Sequence, residues 1–188
     1  MSKYTNMMID IETLGNVPYS VILSIRAVEF NHKTGRTGRE FYCIIDPVSC
    51  QKHGLKIEAS TVLWWLAQSS EARSEFIGNK VKLDIKTALT HFSKYLSKCD
   101  KKVNIWANSP SFDCARIREA YTLVQIKDVP WSYRQERDYR TLVAQYPNGL
   151  PKNKNRVQHN ALDDCYNQIE SLVFVLNNLR SYVSKQEY

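Results

Sequence analysis

The sequence lacks any apolar run approaching the twenty residues that a membrane-spanning helix needs. Its polar start, MSKYTN, does not read as a secretory signal. The expectation is a soluble, cytoplasmic protein, in a bacterium or a phage-infected cell. Cysteine is sparse: five residues (Cys43, Cys50, Cys99, Cys114, Cys165), odd in number and nowhere spaced as Cys-x-x-Cys. That excludes a disulfide framework and a cysteine-rich zinc site and implies free thiols in a reducing compartment. The four histidines are dispersed, which argues against a His/Cys metal cluster. Internal repeats, low-complexity tracts and interdomain linkers are also missing, and 188 residues suit one α/β domain over residues 1–188.

What is present is positive charge. A formal net charge of +7 and a pI near 9.1 favour a polyanionic partner without identifying a reaction. Residues 127–158 concentrate it, with seven Lys or Arg against three acids.

Residues 5–11, 20–30 and 39–45 read as strands, joined by turn chemistry at Gly15–Pro18 and Asn31–Gly38. Two short connections between three strands predict an antiparallel meander. Helices are predicted from Ser60, taken as an N-cap, and over Asp84–Lys98, where Ile85, Ala88, Leu89, Phe92 and Leu96 share a face. A buried strand at 103–107, a helix around Phe112–Tyr121, a short strand and a helix near Arg134–Gln145 follow. The last predicted element is a long helix over 161–183, with Leu172, Val173, Leu176 and Leu179 as its apolar stripe. This order describes a mixed five-stranded sheet covered by helices, in a ribonuclease H-like arrangement.

Three acidic segments interrupt this apolar pattern. Asp10 and Glu12 lie within MMIDIETL, and strand alternation puts both carboxylates on one side, roughly 6–7 Å apart. Two such charges at the end of a mostly buried strand need a cation, or one must take a proton. Carboxylate oxygens suit Mg2+ or Mn2+. Taken alone, an Asp-x-Glu reads more readily as a strand face turned to water. Asp113 follows the 103–107 strand where a new helix begins, a place where ligands gather and where an acid also complements the helix dipole. His159 and Asp164 flank the start of the last helix, with Asn160 as N-cap and Asp163 in a capping-box-like exchange.

Together, Asp10-Ile-Glu12-Thr13, Phe112-Asp113 and His159-Asn-Ala-Leu-Asp-Asp164 resemble the DEDDh branch of 3'–5' exonucleases. Further segments, Ser60-Thr-Val-x-Trp-Trp with Gln68 and Glu71-Ala-Arg73, then Arg137-Asp-Tyr-Arg-Thr141, resemble phage exodeoxyribonucleases of the DexA type and a related mycobacterial exoribonuclease-like group. The resemblance implies a metal-dependent 3'–5' exonuclease, with DNA favoured over RNA. It implies two Mg2+ or Mn2+ ions on Asp10, Glu12, Asp113 and Asp164, and His159 as general base. Thr13 and Leu14 would contact the terminal nucleotide, and Ser109 stands where many relatives carry Asn. Of the adjacent Trp64 and Trp65, which cannot share a helix face, one packs inside and Trp65 is read as the ring near substrate. Phe112 reads equally as a ring stacking on a base or as a core aromatic. Arg137, in the basic segment, reads as a phosphate contact. The partner would be single-stranded or 3'-ended DNA or RNA, and a homodimer is allowed. Two other readings remain open: a non-catalytic nucleic-acid-binding module on the same scaffold, and a phosphodiesterase acting on small nucleotides.

Overall fold

The central strand β1 (Asn6–Thr13) sorts its side chains to two faces by simple alternation. Met7, Ile9 and Ile11 enter the larger apolar core, while Met8 joins a second cluster with Cys165, Ile169 and Leu172. Asp10 and Glu12 alternate with Met8 on that second face, so the acids continue an otherwise buried row. The computed structural model describes residues 4–74, 76–77, 80–146, 150 and 161–184.

β1 pairs antiparallel with β2 (Ile22–Phe30), and β2 pairs antiparallel with β3 (Thr37–Ile44). β4 (Asn104–Ala107) and β5 (Glu136–Asp138) extend the other side in parallel, giving the order β3-β2-β1-β4-β5. The mixed five-stranded sheet with a leading antiparallel meander is therefore as the sequence implies. Because β1, β4 and β5 run in parallel, their C-terminal ends meet at one edge of the sheet. The β1–β2 register shifts at Glu12/Thr13, the point where the acids end the strand.

One face carries α1 (Pro47–Lys52), α2 (Ala59–Leu66), α3 (Ser70–Ser74), α4 (Ile85–Leu96) and α5 (Asp113–Leu123). Ile85, Ala88, Leu89, Phe92 and Leu96 of α4 are all buried, as their spacing predicts. Asp84 caps α4 by accepting from the amides of Lys86 and Thr87, a contribution of about 1 kcal/mol. α6 (Tyr139–Val143) and α7 (Ala161–Ser184) complete the fold, α7 packing on β1 and β2 across the second cluster.

Several boundaries differ from the sequence reading. Ser60 is not an N-cap: Glu58 occupies that position, and its carboxylate accepts from the Asn16 amide of the β1–β2 loop instead of capping α2. The helix expected over 134–145 is split. Ser132 starts a 3-10 turn over Tyr133–Gln135 with a full capping box, β5 intervenes, and Asp138 then caps the short α6 through the Thr141 amide. The stripe of α7 is also out of phase. Cys165, Ile169, Leu172 and Val175 are buried, Val173 and Leu176 flank them, and Leu179 is exposed. The short helices α1 and α3 were not foreseen.

All five cysteines are free thiols. Burial pushes the Cys43 and Cys50 thiols up to about 12. Among the described residues, no helix is long and apolar enough to cross a membrane.

Candidate active site

Three connections deliver acids to the sheet edge where β1 ends. Asp10 and Glu12 arrive on β1 itself, both half-buried. Asp113 opens α5 just after β4 and is almost fully buried. Its carboxylate accepts from the amides of Ser109, at 3.4 Å, and Ile11, the residue between the first two acids. Asp164, half-buried near the start of α7, is the fourth.

These carboxylates act on one another. The Asp10 carboxyl is held well above the usual range, first by burial and then by the negative charges of Glu12, Asp113 and Asp164. A hydrogen bond from Gln168, one turn beyond Asp164, opposes the rise. Burial pushes Asp113 up to about 7, against the backbone amides it accepts from and the charge of Arg116. Four acids forced into one region is the electrostatic condition that a cation relieves. Among the described residues, no three His, Cys, Asp or Glu side chains already stand in coordination geometry. The fit therefore rests on the donors: four carboxylates, all oxygen, with the local excess of negative charge that suits a hard divalent ion.

Two confluent clefts flank the acids. An apolar cleft of about 420 Å³ is walled by Thr13, Trp64, Trp65 and Phe112, and a polar cleft of about 480 Å³ by Asp10, Asn108, Asp113 and Arg140. Ile11, Glu12, Asn16 and Phe112 belong to both, so Glu12 and Phe112 form their common rim.

The residues read from sequence as substrate contacts fall in different places. Thr13 lines the apolar cleft, with its hydroxyl donating to the Gly15 carbonyl at 2.8 Å. Leu14 is half-buried against the core. Trp65 is the inward ring of the tryptophan pair, 7% exposed, and lines the apolar cleft, whereas Trp64 is 45% exposed. Ser109 is buried in the polar cleft, its hydroxyl paired with that of Ser111 at 2.8 Å. Phe112 stands between the clefts with the Arg116 guanidinium 3.5 Å above its ring centre. Arg137 lines neither cleft among the described residues; its Nη1 donates to the carbonyls of Arg134 and Glu136. His159 and Asn160 lie outside the described residues, as does the side chain of Asp163.

Sequence reasoning missed Arg116, Arg140 and Gln168. Arg116 is buried and donates to the carbonyls of Phe112 and Asn16, bolting α5 to the β1–β2 loop. The i, i+4 spacing of Asp164 and Gln168 on α7 was the one signal available for the last of these.

Comparison with known proteins places this geometry in context. A search of curated proteins returned no match. Escherichia coli exonuclease I in complex with a dT13 oligonucleotide superposes with a TM-score of 0.66 at 17% identity, over 94% of this chain and 42% of that one. The zinc-ion-bound form of the E. coli exonuclease I–single-stranded DNA complex gives 0.66 and 17%, over 98% and 43%. Exonuclease X in complex with 5' overhanging duplex DNA gives 0.54 and 16%, over 92% and 91%. The chain thus spans less than half the length of exonuclease I and shares its ribonuclease H-like fold. The model of one family matches residues 5–176, nearly the whole chain. This chain belongs to the 3'-5' exoribonuclease Rv2179c-like domain family.

Proposed function

We propose that residues 1–188 form one exonuclease domain that removes 5'-mononucleotides from the 3' ends of nucleic acid with the help of divalent metal ions. The observation that carries this reading is the mutual electrostatic effect of Asp10, Glu12, Asp113 and Asp164 at one strand edge, beside an aromatic cleft. A binding module that does not cut has no use for four acids driven together against their own repulsion.

Asp10, Glu12 and Asp164 would hold one Mg2+ or Mn2+ ion, and Asp10 with Asp113 would help hold a second. When bound, such ions supply Lewis-acid stabilisation of the charge on phosphodiester oxygens. His159 takes a proton from the attacking water at a ring nitrogen, a task suited to its unperturbed pKa near 6.5. The amides of Ser109 and Ile11 hold the Asp113 carboxylate in place, and Gln168 does the same for Asp10. Trp64, Trp65 and Phe112 offer flat apolar surface to the terminal base, as aromatic rings do in single-strand sites. The bond broken is that to the 3'-oxygen of the penultimate nucleotide.

DNA is the favoured substrate, supported by exonuclease I and exonuclease X, whose structures hold DNA. The family description supports a second reading, an exoribonuclease. The deciding experiment offers matched 5'-labelled DNA and RNA strands with Mg2+, Mn2+ or chelator. Stepwise shortening from the 3' end, dependent on metal, is the expected result, and the faster polymer names the substrate. Strands bound yet uncut under every condition would support the binding module. Cleavage confined to dinucleotides or nitrophenyl esters would support the small-nucleotide phosphodiesterase.

A further inference from the structure

Three arginines stand near the β1–β4–β5 edge, of which Arg137 lines neither cleft and Arg116 is buried. Arg137 spends its Nη1 on the Arg134 and Glu136 carbonyls, both at 2.8 Å. Arg116 is buried, donates to two carbonyls, and covers the Phe112 ring. Arg140 differs. It sits in the first turn of α6, exposed, and its backbone N–H donates to the Asn108 carbonyl at 3.2 Å. Arg140 lines the polar cleft, and its guanidinium has no partner among the described residues.

The fold puts it there by construction. Ala107 and Asp138 are register partners in the parallel β4–β5 pair, so the chain leaving β5 emerges beside Asn108. Asp138 caps α6 through the Thr141 amide at 2.7 Å, which fixes the first turn against the β4–α5 loop. An arginine is thereby held at the same cleft that Asp10, Glu12 and Asp113 line.

We propose that Arg140, with Asn108 and Ser111 on the facing loop, forms a second phosphodiester subsite. It takes the backbone phosphate one nucleotide to the 5' side of the cleaved bond. This rests on the exonuclease reading of the same site. A terminal base in the apolar cleft puts the cleaved phosphate at the Glu12–Phe112 rim, and the strand then continues past Phe112 into the polar cleft. That cleft carries three carboxylates, which repel a phosphate, and the Arg116 charge is buried beside Asp113. The free guanidinium of Arg140 makes the path acceptable to a polyanion, and its fork matches phosphate oxygens.

The test measures affinity of the full chain for labelled single strands in chelator, across a range of salt. Wild type is compared with Arg140→Gln and Arg140→Lys on a dinucleoside monophosphate, which has one phosphate, and on longer strands. Arg140→Gln should weaken longer strands roughly tenfold. It should lower the slope of log affinity against log salt by about 0.7, the value for one lost contact on a single strand. The loss should be confined to strands with a second phosphate, and Arg140→Lys, which keeps the charge without the fork, should restore the salt slope and part of the affinity. Unchanged affinity for longer strands overturns the proposal, as does an equal loss on the dinucleoside or a salt slope that lysine does not restore. A wild type that binds strands with this length dependence but never cuts them with Mg2+ or Mn2+ removes the exonuclease reading and leaves a phosphate subsite.

Discussion

The indole Nε1 of Trp65 donates a 2.9 Å hydrogen bond to the carbonyl oxygen of Thr13. Thr13 directly follows the Asp10-Ile-Glu12 segment, at the point where the β1–β2 register shifts. The bond ties the end of the acid-bearing strand to α2, and Trp65 is in turn packed edge-on against Phe76, with ring centres 5.0 Å apart. The inward tryptophan therefore shapes the apolar cleft and braces the strand that carries the acids.

Trp65→Phe keeps an aromatic ring but removes the donor and part of the packed volume, leaving the Thr13 carbonyl without its partner. It should cost about 1–3 kcal/mol of stability, read from denaturant unfolding. Trp64→Phe, on the exposed ring, should change stability by less than about 0.5 kcal/mol while weakening strand binding. Equal stability losses in the two variants would contradict the bracing role.

His159→Ala should slow cleavage by roughly 10²–10⁴ and leave the melting temperature close to wild type. Near-wild-type turnover in that variant would remove the imidazole from proton transfer.

Asp10→Asn should abolish metal-dependent cleavage. In chelator it should melt at or above the wild-type temperature, because a carboxyl surrounded by Glu12, Asp113 and Asp164 is relieved of repulsion. Adding Mn2+ should stabilise wild type, by about 2.7 kcal/mol at a hundredfold excess over its dissociation constant, and should hardly move the variant. A thermal shift series with and without metal checks both halves.

Away from the cleft, Glu29 provides a pH signature. Burial pushes its carboxyl up, but the hydrogen bonds from Arg39, 2.7 Å at the closest, outweigh it and hold the carboxyl below its ordinary value. A depressed folded value means that the ionised form is favoured by folding. The pair's stabilisation is present above about pH 4.3, the unfolded glutamate value, and is lost as pH falls through the lower folded value. The melting-temperature gap between wild type and Glu29→Gln should be widest near neutral pH and close in acid. A gap that stays constant down to the acid limit would contradict the assignment.

Much of this was legible in the linear chain because it is local. The alternation of Met7, Ile9 and Ile11 against Asp10 and Glu12 states which face of β1 is core, and the five apolar positions of α4 state which face of that helix is buried. Cap chemistry was partly legible: Asp84 behaves as its sequence suggests, while Glu58 displaces Ser60 because its carboxylate is taken by a loop more than forty residues away in sequence. The phase of α7 was not legible, since Leu172 is common to two candidate stripes and only contact with Met8, Val28, Phe30 and Trp106 selects the one through Cys165 and Ile169.

By itself the sequence determined the residue types and periodicities: a strand with paired acids, acids placed at two later helix starts, and an excess of positive charge. Tertiary structure alone decided that Asp113 meets the Ile11 amide, that Trp65 turns inward, and that Arg140 rather than Arg137 lines the cleft. The reason is range: periodicity acts over a few residues, whereas the Asp113 and Arg140 placements depend on parallel pairing of β1, β4 and β5, and Trp65 turns inward through its bond from α2 to the end of β1.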